Sequence, residues 1–144
     1  MSWVRVWIHT VFTTKNRAPL IQRKYKEVIL SHIKENAKEK GIILLEVDGS
    51  NDHLHCLISL NKDMSLSKTL QLIKGESSFW INKNNYCSEK FAWQDDYWAV
   101  GVSESHLHYV KLYIRNQEQH HNKSSFKEEV DLFMKKYGWT WQEK

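Results

Sequence analysis

Apolar and polar residues alternate through the start of the chain, where Val4, Val6, Ile8, Thr10 and Phe12 interleave with Trp3, Arg5, Trp7, His9 and Val11. Alternation with a period of two predicts a β-strand over Trp3 to Phe12. Thr13 to Pro19 is a basic, polar connection. From Gln22 to Lys40 the period lengthens. Tyr25, Val28, Ile29, Ile33 and Ala37 form a helical stripe, and Gly41 is placed to end the helix. Ile42 to Val47 is a second strand, followed by the turn chemistry of Asp48-Gly49-Ser50-Asn51. The alternation returns in Asn51 to Leu60, which predicts an antiparallel hairpin with the second strand. Ser65 or Ser67 caps a second helix carrying Leu66, Leu70, Ile73, Ser77 and Trp80. After a polar loop from Asn82 to Lys90, Trp93 to Val102 reads as a fourth strand. Ser103 or Ser105 then starts a third helix over about Glu104 to His120. A shorter helix near Phe126 to Tyr137 ends at Gly138.

The order β-α-β-β-α-β followed by C-terminal helices predicts an α+β fold with a ferredoxin-like or RRM-like antiparallel sheet. Helices are expected mainly on one face, with the other left open. One proline, five glycines and no internal repeat suggest a single domain over residues 1–144.

Composition narrows the possibilities only a little. A formal charge of +4 and a pI near 9.0 lean towards a polyanionic partner. Seven tryptophans are many for this length, and core, interface or base-stacking roles could each account for them. Cys56 and Cys87 lie far apart in sequence and read as reduced thiols of a cytoplasmic protein. No apolar run is long enough to span a bilayer, so no membrane association is expected.

The chemistry concentrates in two places. In Asn51 to Leu60, Leu54, Cys56, Ile58 and Leu60 take one strand face, and His53 and His55 project from the other. Residues two apart on a strand lie about 6.5–7 Å apart, so both imidazoles can reach one metal ion. Asp52 is set aside as a ligand because strand alternation points it to the opposite face. Cys56 is set aside for the same reason. Two partly exposed histidines on a half-buried strand are the plainer alternative. On the third helix, Tyr113 and Gln117 are four apart and share a face. Tyr109, one turn earlier, is the rival tyrosine, and the spacing to Gln117 favours Tyr113.

Four stretches carry these residues in order: His9-Thr10-Val11-Phe12-Thr13-Thr14-Lys15-Asn16-Arg17; His53-Leu54-His55 with its apolar continuation; Leu72-Ile73-Lys74-Gly75-Glu76-Ser77-Ser78; and Tyr113-Ile114-Arg115-Asn116-Gln117-Glu118-Gln119-His120-His121. Together they resemble the single-tyrosine HUH transposases of bacterial insertion sequences, including REP-associated tyrosine transposases, where U is a bulky apolar residue. The resemblance implies Tyr113 as nucleophile, His53 and His55 as ligands of a divalent metal, and Gln117 completing the metal site. The ion would be Mg²⁺ or Mn²⁺, without an organic cofactor. The implied substrate is single-stranded DNA with hairpins, cleaved through a 5′-phosphotyrosine. Such proteins act as homodimers, often with the tyrosine helix serving the partner's site, and associate with the nucleoid when bound to DNA.

Lys15, Arg17, Arg23 and Lys24, with Arg115 and Lys123 near the tyrosine helix, are candidate phosphate contacts. The aromatic stretch Phe91 to Val100 is either a dimer seam or a core strand with an exposed edge. Lys74 and Ser78 match the resemblance without a role that the sequence assigns. Two other functions fit parts of the pattern. A non-catalytic RRM-like nucleic-acid-binding module would put stacking aromatics on the open sheet face. A replication-initiator or relaxase-type nickase would share the histidine pair, but such enzymes usually carry further domains. Metal chemistry requires both imidazoles to reach one ion and to lie outside the packed interior.

Overall fold

His53–Ser59 is buried at every position, as in a central strand covered on both faces. The computed structural model describes residues 1–116 and residue 128. Its elements are β1 (Trp7–Thr13), α1 (Arg23–Glu39), β2 (Ile43–Gly49), β3 (His53–Ser59), α2 (Leu66–Lys83), β4 (Trp98–Val102) and α3 (Leu107–Arg115). The sheet is antiparallel with strand order β2-β3-β1-β4, the ferredoxin-like arrangement expected. The predicted helix near Phe126 to Tyr137 lies outside the described residues.

Directly opposed residues of antiparallel strands share a face, so the register sorts every side chain. Thr10 faces Cys56 and Phe12 faces Leu54 on one side. Val47 joins Cys56 there from β2. This face meets Ile29, Leu30 and Ile33 of α1 and Leu70, Ile73 and Ile81 of α2 in the main core. The opposite face carries Trp7, His9, Val11 and Thr13 of β1 beside Ser59, Leu57, His55 and His53. Val102, Val100 and Trp98 of β4 complete it.

Local chemistry ends the helices where the sequence suggests. Gly41 adopts φ 73°, which L side chains resist. Its N–H bonds the Lys38 carbonyl while Ile42 N–H bonds that of Ala37, the two closing bonds of a Schellman motif. Of the two serines, Ser65 is the α2 cap, its Oγ accepting from Lys68 N–H at 3.1 Å.

Three expectations need correction. β1 begins at Trp7, not Trp3, because its partners run out there: Trp7 already pairs with Ser59 and Val102. β4 begins at Trp98, not Trp93. Trp93 makes one isolated bridge to Thr14, then turns its ring into the core against Phe12 and Phe91, with centroids 4.8 Å away in each case. Its indole N–H donates to Ser77 Oγ. Lastly, the histidine face is not open. α1 and α2 cover one side, as expected, but α3 packs over β2 and β3 on the other. Leu57, Val100 and Val102 make that face too apolar to leave in water.

Burial also separates the two thiols. Cys56 is fully buried, which pushes its pKa up to about 12, whereas Cys87 is half-buried. A thiol reagent should therefore modify Cys87 in the native protein and Cys56 only after denaturation. Equal labelling rates in a native-state time course would contradict this core.

Candidate active site beneath the third helix

The turn from β2 into β3 sets the position of the first histidine. A Cβ at Gly49 would sit 2.1 Å from the His53 carbonyl oxygen, so only glycine allows the two strands to approach this closely. Ser50 N–H bonds that same carbonyl at 3.0 Å. Asp52 lies in the bend just before β3, where strand alternation does not apply. Its carboxylate therefore does not point away, as the sequence suggested. It accepts a hydrogen bond from His53 Nδ1 at 2.7 Å. That bond fixes the His53 tautomer and leaves Nε2 as the ring's lone-pair nitrogen.

His55 follows on the same face, its ring centroid 5.2 Å from that of His53. His9, which the sequence did not single out, stands diagonally across on β1. Its Nε2 is 2.9 Å from His55 Nδ1 in a buried hydrogen bond, with the two rings stacked at 5.2 Å. When His55 donates from Nδ1, its Nε2 carries the lone pair. Trp98 packs edge-on against His9 at 5.3 Å. Both ring positions are thus braced by neighbours on other strands or turns.

α3 provides the third component. Val110 and Ile114, one helical turn apart, dock on Leu57 and Val102, with Leu107 and Tyr113 packed at the margin. This brings the Tyr113 ring to 5.7 Å from His55 and 6.4 Å from His9. Tyr109 is 55% exposed, whereas Tyr113 is half-buried against the second cluster, which separates the two tyrosines. The third helix opens as a 3-10 turn, Glu104–His106, before α3 proper. Its predicted continuation to His120 passes beyond the described residues, as do Gln117 and Lys123.

The cations divide into two groups. Thr14 N–H bonds the Asp52 carbonyl and Ile21 N–H bonds that of Asn51, so the connection between β1 and α1 runs beside the turn leading to His53. Lys15 and Arg17 occupy a 3-10 turn in that connection, and Arg23 and Lys24 open α1, all four exposed. Arg115 instead forms an ion pair with Glu46 of β2. Phe91 and Trp93 belong to the core, while β4 is an edge strand.

The histidines are close enough to act together, but they are not solvent-facing. His9, His53 and His55 are each 0% exposed. The expectation that they stand outside the packed interior fails for this closed arrangement, because Leu57 recruits α3 onto their face. Among the described residues, no group of three His, Cys, Asp or Glu is placed to hold a metal. The donor chemistry here is a pair of imidazoles, one braced by a carboxylate. Such a pair fits a divalent ion that draws its remaining ligands from oxygen donors.

The family model described as "Transposase IS200 like" matches residues 2–117, and the chain belongs to that family. Transposases for insertion sequence element IS200 from Salmonella typhimurium and Salmonella typhi are each 26% identical over 94 residues. Those alignments take in 65% of this chain and 61% of each Salmonella protein, less than two-thirds of the relatives' length. A crystal structure of a Deinococcus radiodurans protein assigned as a transposase shares the fold with a TM-score of 0.64 at 18% identity. It covers 81% of this chain and 93% of that one. A REP-associated tyrosine transposase bound to a REP hairpin superposes with a TM-score of 0.56 at 18% identity, covering 81% and 68%.

If Ile114 anchors α3, Ile114→Ala should destabilise the protein by about 2–5 kcal/mol and speed hydrogen exchange of α3 amides more than those of α1. Unchanged α3 protection would show that the helix is held by something else.

Proposed function

We propose that this protein is an enzyme that cuts and rejoins single-stranded DNA at hairpin-marked ends, with Tyr113 as nucleophile and His53 and His55 as metal ligands. The chief support is the placement of the Tyr113 ring 5.7 Å from the braced His55, in a chain of the IS200-like family. The fold neighbour bound to a REP hairpin suggests the type of DNA.

A free phenol, with a pKa near 10, is a weak nucleophile at neutral pH. In the proposed step the Tyr113 oxygen bonds to phosphorus, the phenolic proton passes to solvent or a nearby base, and the bond from phosphorus to the 3′ oxygen breaks. The leaving oxygen takes a proton and becomes a free 3′-OH, while the 5′ end remains on tyrosine. One diester replaces another, so a 3′-OH can later displace Tyr113 and join strands without ATP or an organic cofactor. A divalent ion, Mn²⁺ or Mg²⁺, would supply charge neutralisation at the phosphate and the leaving oxygen. Asp52 orients His53 and His9 orients His55, with Gln117 proposed as a further ligand. Lys15, Arg17, Arg23 and Lys24 flank the His53 end and would neutralise DNA phosphates, with Arg115 of α3 and Lys123, which lies outside the described residues, as further candidates.

Because α3 closes over the imidazoles, a DNA strand can enter only when that helix lifts. A lifted helix is able to close over a second copy's site, so the proposal includes a homodimer with Tyr113 acting in trans. Among the described residues, no helix is long and apolar enough to cross a membrane. The proposed setting is the cytoplasm, on nucleoid DNA.

Incubating the protein with Mn²⁺ and a labelled single-stranded hairpin should yield a covalent adduct that survives denaturant. Tyr113→Phe should abolish it and Tyr109→Phe should not. Adduct formation by Tyr113→Phe would assign the chemistry elsewhere. Separately, Asp52→Asn should weaken Mn²⁺ binding by about 10–100-fold, read by titration calorimetry. His53→Ala and His55→Ala should lose cleavage but still bind the hairpin. Undiminished cutting by both would remove the metal assignment.

A further inference from the structure

On the other side of the sheet end lies a groove of about 530 Å³ between α2 and the segment Ala92–Tyr97. That size suits a small organic ligand. Its lining includes Gln71, Lys74, Gly75, Ser78, Trp93 and Tyr97, a mixture of ring surface and hydrogen-bonding groups. Three of these, Lys74, Gly75 and Ser78, belong to a sequence stretch that the chemistry at Tyr113 does not use.

Gly75 sits in the interior of α2, where glycine is less stable than alanine. Neither a turn nor close packing requires it, since a Cβ built there meets nothing within 4 Å. The open space it preserves is the groove itself. Lys74 crosses the groove to the Gln94 and Asp95 carbonyls at 2.6 and 3.0 Å, leaving one of its three N–H groups for a ligand. Burial lowers its pKa, with Asp95 and Asp96 pulling the other way. Its ammonium lies 6.0 Å from the Tyr97 ring, and that ring is 40% exposed.

The groove also adjoins the proposed DNA path. Gln94 N–H bonds the Thr13 carbonyl, and its side chain accepts from Asn16 N–H at 3.2 Å. Lys15 N–H bonds the Ala92 carbonyl. One wall of the groove is therefore stitched to the turn carrying Lys15 and Arg17. Thr13 pairs with His53 on the next strand, so the Gln94 backbone lies roughly two strand spacings, about 10 Å, from the backbone of His53.

We propose that this groove holds one unstacked base of the single-stranded DNA substrate, laid on Tyr97, with its backbone passing over Lys15 and Arg17. This deepens the function proposed above and rests on the chain being a single-strand DNA enzyme. Aromatic stacking is sequence-tolerant and suits a site that holds a strand in register for cleavage.

The test uses a DNA hairpin with and without a single-stranded extension of about ten nucleotides, with 2-aminopurine at one extension position at a time. The parent should bind the extended hairpin on the order of tenfold more tightly than the blunt one, and one position should change its emission on binding. Gly75→Leu fills the groove with a better helix former. It should lose both the gain and the emission change, while keeping blunt-hairpin affinity and an equal or higher Tm. Tyr97→Leu should weaken the same signal. Persistence of the response in Gly75→Leu, or no responsive position in the parent, overturns the groove's role. A parent that forms the Tyr113 adduct without any base response overturns the groove alone. A base response without an adduct supports the groove and removes the tyrosine chemistry.

Discussion

β3 is the constraint on which the site depends. As the strand between β2 and β1, it has neighbours on both edges, and its side chains must alternate between faces. Once Leu54, Cys56 and Ile58 are taken by the core under α1 and α2, His53, His55 and Leu57 have only the opposite face. A slip of one residue would exchange the two sets and put both imidazoles into the apolar core under α1 and α2. The tight passage at Gly49 holds the register, because its Cα lies against the His53 carbonyl with no room for a side chain.

The same face carries both the chemistry and the means of covering it. Leu57 and Val102 provide an apolar patch, and Val110 and Ile114 of α3 seal it. Sealing brings Tyr113 over His55 as a consequence of packing, with no direct bond required between them. This second cluster is much smaller than the main core. Elements held by few buried contacts open at lower free energy than the whole domain unfolds. The helix that the proposed function requires to lift is thus attached, among the described residues, by the smaller of the two apolar clusters, while β3 itself is also held by the main core.

Polar bracing completes the arrangement from outside the histidine strand. Asp52 reaches back from the turn, and His9 reaches across from β1. Both contacts place a ring nitrogen and hold a tautomer, which a buried imidazole pair needs if its remaining nitrogens are to face one ion. The basic connection after β1 is tied to the same turn through the Thr14–Asp52 and Ile21–Asn51 backbone bonds. The positive charge of this connection therefore lies beside the turn that leads into His53.

The period-two and helical patterns were enough to establish the element order, the antiparallel sheet and the joint orientation of His53 and His55, because alternation and helical spacing are local properties of the backbone. Within the sequence, the spacing to Gln117 favoured Tyr113 over Tyr109. What the sequence could not determine was anything that depends on which strands become neighbours. His9 had the right parity, but only the β1–β3 register puts it against His55. Asp52 was misread because the alternation was taken from Asn51, whereas the strand starts two residues later, at His53. The closing of α3 over the histidine face was hidden as well: Leu57 looked like one residue of an apolar run, and its pairing with Val102 and Ile114 exists only when distant segments pack. Local periodicity is encoded residue by residue, whereas contacts across a sheet are decided by the burial of surfaces from all its strands at once.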